Sequence, residues 1–116
     1  MSDKFQSALG RITRIVGVRG AMLVSSEDGL VIADALLEDV KGNAVAALAS
    51  SLAKRVGNAS KSAGVGAPLF LHLDASAGVL VAAPANSDIL MVVVAERSVN
   101  VGLVRLEMLR IAEAGL

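Results

Sequence analysis

The sequence predicts an α/β fold, one antiparallel sheet carrying helices on its faces, from three observations. Helix-spaced and strand-like apolar patterns follow one another in the order helix, two strands, helix, three strands, helix. The run "ILMVVVA" at positions 89–95 is apolar at both parities, so both of its faces need cover and it belongs in the middle of the sheet. "LFLHLD" at positions 69–74 alternates, with Leu69, Leu71 and Leu73 on one side and Phe70, His72 and Asp74 on the other. A half-polar strand suits an edge.

The elements follow in chain order. Phe5, Leu9, Ile12 and Val16 recur at helical spacing behind Ser2 or Asp3 as a cap, which predicts an opening helix ending near Gly17. "GAMLVSS" and "LVIADA" flank "EDG", where Gly29 suits a tight turn, so they read as a hairpin. After the acidic connector "LLEDV", a long helix is expected from Gly42 or Asn43 to Gly64, closed by "GVGAP". Strands at 69–74, 78–84 and 88–95 are separated by short turns, and a last helix is expected over 99–114. In that helix Val101, Val104, Met108 and Ile111 form the core stripe, and Leu103, Leu106 and Leu109 are expected to bury against the opening helix.

Composition narrows the class. The 116 residues fit one domain, taken as 1–116, with enough chain to hide roughly two-thirds of its unfolded surface. Hydrophobic residues make up 54% against 19% charged, an apolar excess that a subunit interface would absorb. No apolar run approaches the ~20 residues of a membrane-spanning helix. Eleven basic and eleven acidic residues cancel, and two Phe with no Tyr or Trp offer little for base stacking, so nucleic acid is a poor partner. The start lacks a secretion signal and the chain lacks cysteine, which fits a cytoplasmic setting.

Chemistry-bearing groups are sparse. His72 is the one histidine, and its edge-strand position favours a pairing or surface role over that of a general base. With one His and no Cys, and carboxylates scattered without ligand spacing, no metal is expected; Asp28 reads as a turn residue. "GVRG" and "GVGAP" are element boundaries rather than phosphate loops, since neither follows a strand and opens a helix. No catalytic residue and no cofactor is expected, and an enzyme using His72 ranks low.

The long helix carries two apolar stripes. Val45, Leu48, Leu52, Val56 and Ala63 form the expected seam to the sheet. About a third of a turn away, Ala46, Ser50, Ala53, Gly57, Ser60 and Gly64 form a ridge of small side chains that would let another helix approach closely. That ridge is expected at a homodimer seam, with Phe70 and His72 of the edge strand beside it and the two sheets made continuous. The competing reading is that it packs inside its own chain, Ala being the best helix former.

Three stretches carry a family resemblance: "GVRGAMLVSSEDGLVIA", the Ala-rich helix after it, and "GVLVAAPANSDILMVVVAERSVNVGLVRLEMLR" with Asn100 and Gly102. Together they cover almost the whole chain and resemble the roadblock/dynein light chain family. The resemblance implies a profilin-like α/β layer, with the central helix on one face of a five-stranded antiparallel sheet and the terminal helices on the other. It also implies a homodimer with paired central helices and sheets joined through the edge strand. The function implied is a non-enzymatic regulator that binds a small Ras-like GTPase, with acceleration of hydrolysis as a further role, or else a scaffold insensitive to nucleotide. Carried over, the GTPase-facing residues are Lys54, Asn58 and Lys61. The chain is shorter than the motility regulators of that family and lacks their C-terminal extension.

Overall fold

The computed structural model describes residues 2–37 and 39–116, the Ser2 side chain excepted. Its elements run α1 (Ser2–Thr13), β1 (Val18–Ser25), β2 (Val31–Leu36), α2 (Gly42–Ser62), β3 (Leu71–Ala75), β4 (Gly78–Pro84), β5 (Ile89–Ala95) and α3 (Val101–Ala114). The five strands form one sheet in the order β2-β1-β5-β4-β3, every neighbouring pair antiparallel. The doubly apolar β5 is central and the alternating β3 is an edge, as the patterns require.

Strand parity divides the core into two layers. Ala21 and Leu23 of β1, Val79 and Val81 of β4, and Met91 and Val93 of β5 face α1 and α3, where Leu9, Ile12, Met108 and Ile111 close the layer. Met22 and Val24, Ala82, and Leu90 and Val92 face α2, which meets them through Ala46 and Ala49. The profilin-like arrangement, one helix on one face and two on the other, is what this chain adopts.

Three local expectations need correction. The opening helix stops at Thr13, whose hydroxyl donates back to the Leu9 carbonyl at 3.0 Å, and the chain then turns through Gly17. Val16 is therefore 91% exposed and Ile15 packs on the core in its place. Asp3 lies inside the first turn rather than capping it, where its charge still complements the helix dipole; the Ser2 side chain lies outside the described residues, as does Glu38 of the connector. Third, Leu103, Leu106 and Leu109 are each at least two-fifths exposed, so they do not bury against α1. The α1–α3 contact needs none of them, because Val104, Met108 and Ile111 already fill the inward stripe.

The caps explain where the helices stop. Asn100 accepts the Leu103 amide at 3.0 Å as the N-cap of α3. At the end of α2, Gly64 takes φ +78°, and the amides of Gly64 and Val65 return to the carbonyls of Lys61 and Ser60, a Schellman closure. The next strand starts only at Leu71, two residues later than the alternation suggests, which leaves Leu69 exposed and Phe70 half-buried at its entry.

Candidate functional site

The two stripes of α2 face the opposite way from the sequence expectation. Ala46, Ala49 and Ser50 are the buried side chains of the helix, at 0%, 4% and 4% exposure, whereas Leu48 is 70% and Leu52 41% exposed. Val45 and Val56 are half-buried on the flank and Ala63 is exposed. The bulk at this contact comes from the sheet, in Met22, Val24, Leu90 and Val92, so the helix must contribute small side chains to come close. A wheel shows two stripes; it does not show which of them the opposing surface has room for.

The β1–β2 turn is fastened to the same helix. Ser50 Oγ donates to the Ser26 carbonyl at 3.1 Å, and Lys54 Nζ donates to the Glu27 carbonyl. Gly29 takes φ +74°, and a Cβ there would stand 3.1 Å from the Ala47 Cα, so backbone lies almost on backbone. Asp28 accepts the Leu30 amide at 3.1 Å, an Asx turn. That bond, followed by one from the Ser25 hydroxyl, holds the Asp28 carboxyl below its usual range, and the Lys54 charge adds a smaller pull.

On its other flank α2 leaves space. The helix lies over β1, β2 and β5, and between it and β4 a groove of about 630 Å³ opens. Ala53, Gly57 and Lys61 of α2 wall one side, Leu71 and Leu90 contribute an apolar floor, and Asn86 of the β4–β5 turn stands opposite. Lys54, Asn58 and Lys61 all line this groove, and among the described residues no carboxylate does. Such a surface suits an acidic partner with an apolar anchor.

Of the residues expected at a homodimer seam, Ser50, Ala53, Gly57 and Phe70 line the groove together, whereas Ala46 and His72 lie away from it. Ala46 and Ser50 point into their own sheet. Ala53 and Gly57 are half-buried at the groove, and Ser60 Oγ donates to the Gly66 carbonyl of its own chain. Phe70 lines the groove and also packs on the opposite layer, with the Arg105 guanidinium 4.9 Å from its ring centroid, and His72 is exposed on that opposite side of β3. Ala46 and Ser50 of the ridge thus make an intrachain contact, as in the competing reading of the sequence, whereas Ala53, Gly57 and Ser60 stay half-buried and Gly64 is exposed. By contrast Lys54, Asn58 and Lys61, expected to act together, are exposed along one flank. Sequence reasoning missed the two exposed leucines of α2, which it had assigned to the sheet.

Among the described residues no group of three or more His, Asp or Glu could hold a metal, and no helix is long and apolar enough to cross a membrane. No curated protein matches the chain significantly. Solved structures do. A Roadblock/LC7 domain from Streptomyces avermitilis is 23% identical, covering 93% of this chain and 91% of its own, with a TM-score of 0.83. MglB in a tetrameric arrangement is 23% identical over 97% of this chain and 85% of its own, with a TM-score of 0.87. Profilin II of Acanthamoeba castellanii is 15% identical over 94% and 90%, with a TM-score of 0.57. At these identities the likeness is one of fold. The family model of the Roadblock/LC7 domain, however, matches residues 4–95, from α1 through β5. The chain belongs to the Roadblock/LC7 domain family.

Proposed function

We propose that this protein is a non-enzymatic, homodimeric regulator that binds a small Ras-like GTPase through the lysine-lined flank of α2. The groove beside α2 carries the reading: two lysines and two asparagines line it, no carboxylate among the described residues does, and its floor is apolar. Family membership supplies the partner class that the sequence resemblance implies. Self-association is supported by the open β3 edge and by the tetrameric arrangement of the MglB relative.

The test is affinity for a small GTPase encoded beside this protein, measured in its GTP-analogue and GDP forms by calorimetry. Unequal affinities are required, since a ligand bound equally by both states cannot respond to the nucleotide. Lys61→Glu is expected to weaken binding about tenfold, in the range of rim charges at interfaces, and to leave the dimer intact. Equal affinity for the two forms would instead favour a scaffold. One observation favours that second reading: α3 turns Leu103, Leu106 and Leu109 to solvent beside a smaller apolar groove that Leu109 and Phe70 line. That is a surface the GTPase reading leaves unused.

A further inference from the structure

The β1–β2 turn and the groove share one lysine. Lys54 lines the groove beside α2 and also donates its ammonium to the Glu27 carbonyl in the turn. One helical turn earlier, Ser50 lines the groove as well and donates to the Ser26 carbonyl at 3.1 Å. The helix thus holds two successive carbonyls of the turn with side chains at i and i+4, which stand one above the other on a single face. The two bonds are not equivalent. Ser50 is 4% exposed and fixed against the sheet, whereas Lys54 is exposed and its long, flexible stem reaches either the turn or the groove.

We propose that Lys54 is a clasp that the partner opens: in the free protein its ammonium fastens the β1–β2 turn to α2, and on docking it passes to a carboxylate of the partner, leaving the turn held by Ser50. The inference rests on the groove being the docking site and adds a response of this protein to the partner's arrival. A carbonyl oxygen offers a partial negative charge and a carboxylate a full one, so an acidic group brought into the groove is the stronger acceptor. Among the described residues no carboxylate lines the groove to compete for the ammonium. Asp28 offers no strong alternative either, since Lys54 is the last of the influences on its carboxyl.

A difference between the two lysines of the groove follows. Lys61 makes no hydrogen bond or ion pair among the described residues, so it meets a partner without breaking anything. Lys54 must first give up the Glu27 carbonyl, which offsets part of its gain. Linkage makes the relation reciprocal: a change that loosens the turn from outside the groove raises affinity for the partner.

The loosening also has a boundary. The Ser26 amide donates to the Asp88 carbonyl at 2.9 Å, tying the base of this turn to the β4–β5 turn, and Asn86 Oδ1 accepts the Asp88 and Ile89 amides at 2.8 and 2.9 Å. None of these bonds involves Lys54. The segment set free is therefore the tip, and it carries two reporters: the Gly29 amide, bonded to the Ser25 carbonyl at 2.9 Å, and the Leu30 amide, bonded to Asp28.

Amide exchange with and without the small GTPase encoded beside this protein, loaded with a GTP analogue, tests the clasp. On binding, Gly29 and Leu30 should exchange about fivefold faster while Leu23 and Ile89 keep their protection. Lys54→Met should give the free protein the same fast exchange at Gly29 and Leu30 and abolish any further change on binding. By calorimetry Lys61→Met should weaken the complex about fivefold, and Lys54→Met at most about twofold. Asp28→Ala should tighten the complex about twofold and have no effect on affinity in the Lys54→Met background. A complex weakened by Lys61→Met in which Gly29 and Leu30 exchange no faster than in the free protein overturns the clasp and leaves the docking site standing. No binding in either nucleotide state, or binding indifferent to Lys61→Met, overturns the docking site and the clasp with it.

Discussion

On the α1/α3 side of the sheet, Leu9, Ile12, Met91, Met108 and Ile111 interlock at 0–2% exposure, whereas on the α2 side the helix meets the sheet through Ala46, Ala49 and Ser50. The first layer uses large side chains from both partners and is complete within one chain. In the second, the sheet supplies the bulk and the helix supplies the proximity, and one flank stays open as the groove. The consequence is a division of labour: one layer holds the fold and the other holds α2 at a fixed height as a platform. Packing density is what separates them, since a large inward residue on α2 would lift the helix off the sheet.

The largest expected effect breaks the first layer. Ile12→Ala or Ile111→Ala removes a fully buried aliphatic chain from a closed contact, and urea unfolding should record a loss of about 2–5 kcal/mol. Next comes an insult of the opposite sign to the second layer. Ala46→Leu forces extra volume between helix and sheet, with an expected cost of about 1–3 kcal/mol. If the small-residue ridge instead faced a second copy, this variant would dissociate a dimer and leave the monomer's stability unchanged, so the ratio of the two effects sharpens the comparison. Ser50→Ala strands the Ser26 carbonyl and should cost about 1 kcal/mol, with the β1–β2 turn loosening first in amide exchange.

How much of this was legible before the fold was known depends on which physical rule each residue obeys. The centrality of β5 and the edge position of β3 followed from parity, because a strand has only two faces and covering them is all or nothing. The hairpin at Gly29 and the closure at Gly64 followed from backbone sterics at single residues. The orientation of α2 did not follow, since Leu48 and Leu52 look like a seam until Met22, Val24, Leu90 and Val92 are seen to fill the opposing surface already. The same limit applies to Val16, whose spacing fits a helix that stops at Thr13. For the candidate site, Lys54, Asn58 and Lys61 were legible as one flank because they share the α2 helix, while Leu71, Leu90 and Asn86 across the groove are up to 36 residues further along the chain and meet them only through the topology.

The smallest effect concerns the fastening of the turn to the platform. Asp28 is fully exposed, and its carboxyl is held below the usual range chiefly by the Leu30 amide. A carboxylate depressed in the folded state contributes stability that is present above its unfolded pKa and is lost as pH falls through the folded value. Acidification should therefore release the Asx turn at the hairpin tip well before the α1/α3 layer gives way. Amide exchange measured as a function of pH, after correction for intrinsic rates, should show Leu30 losing protection first while Leu23 and Val93 keep theirs. The Asp28→Asn variant accepts the same hydrogen bond without the charge and should flatten the response at Leu30. Parallel loss of protection at all three amides would mean that the two layers open as one unit, and the contrast drawn between them would fail.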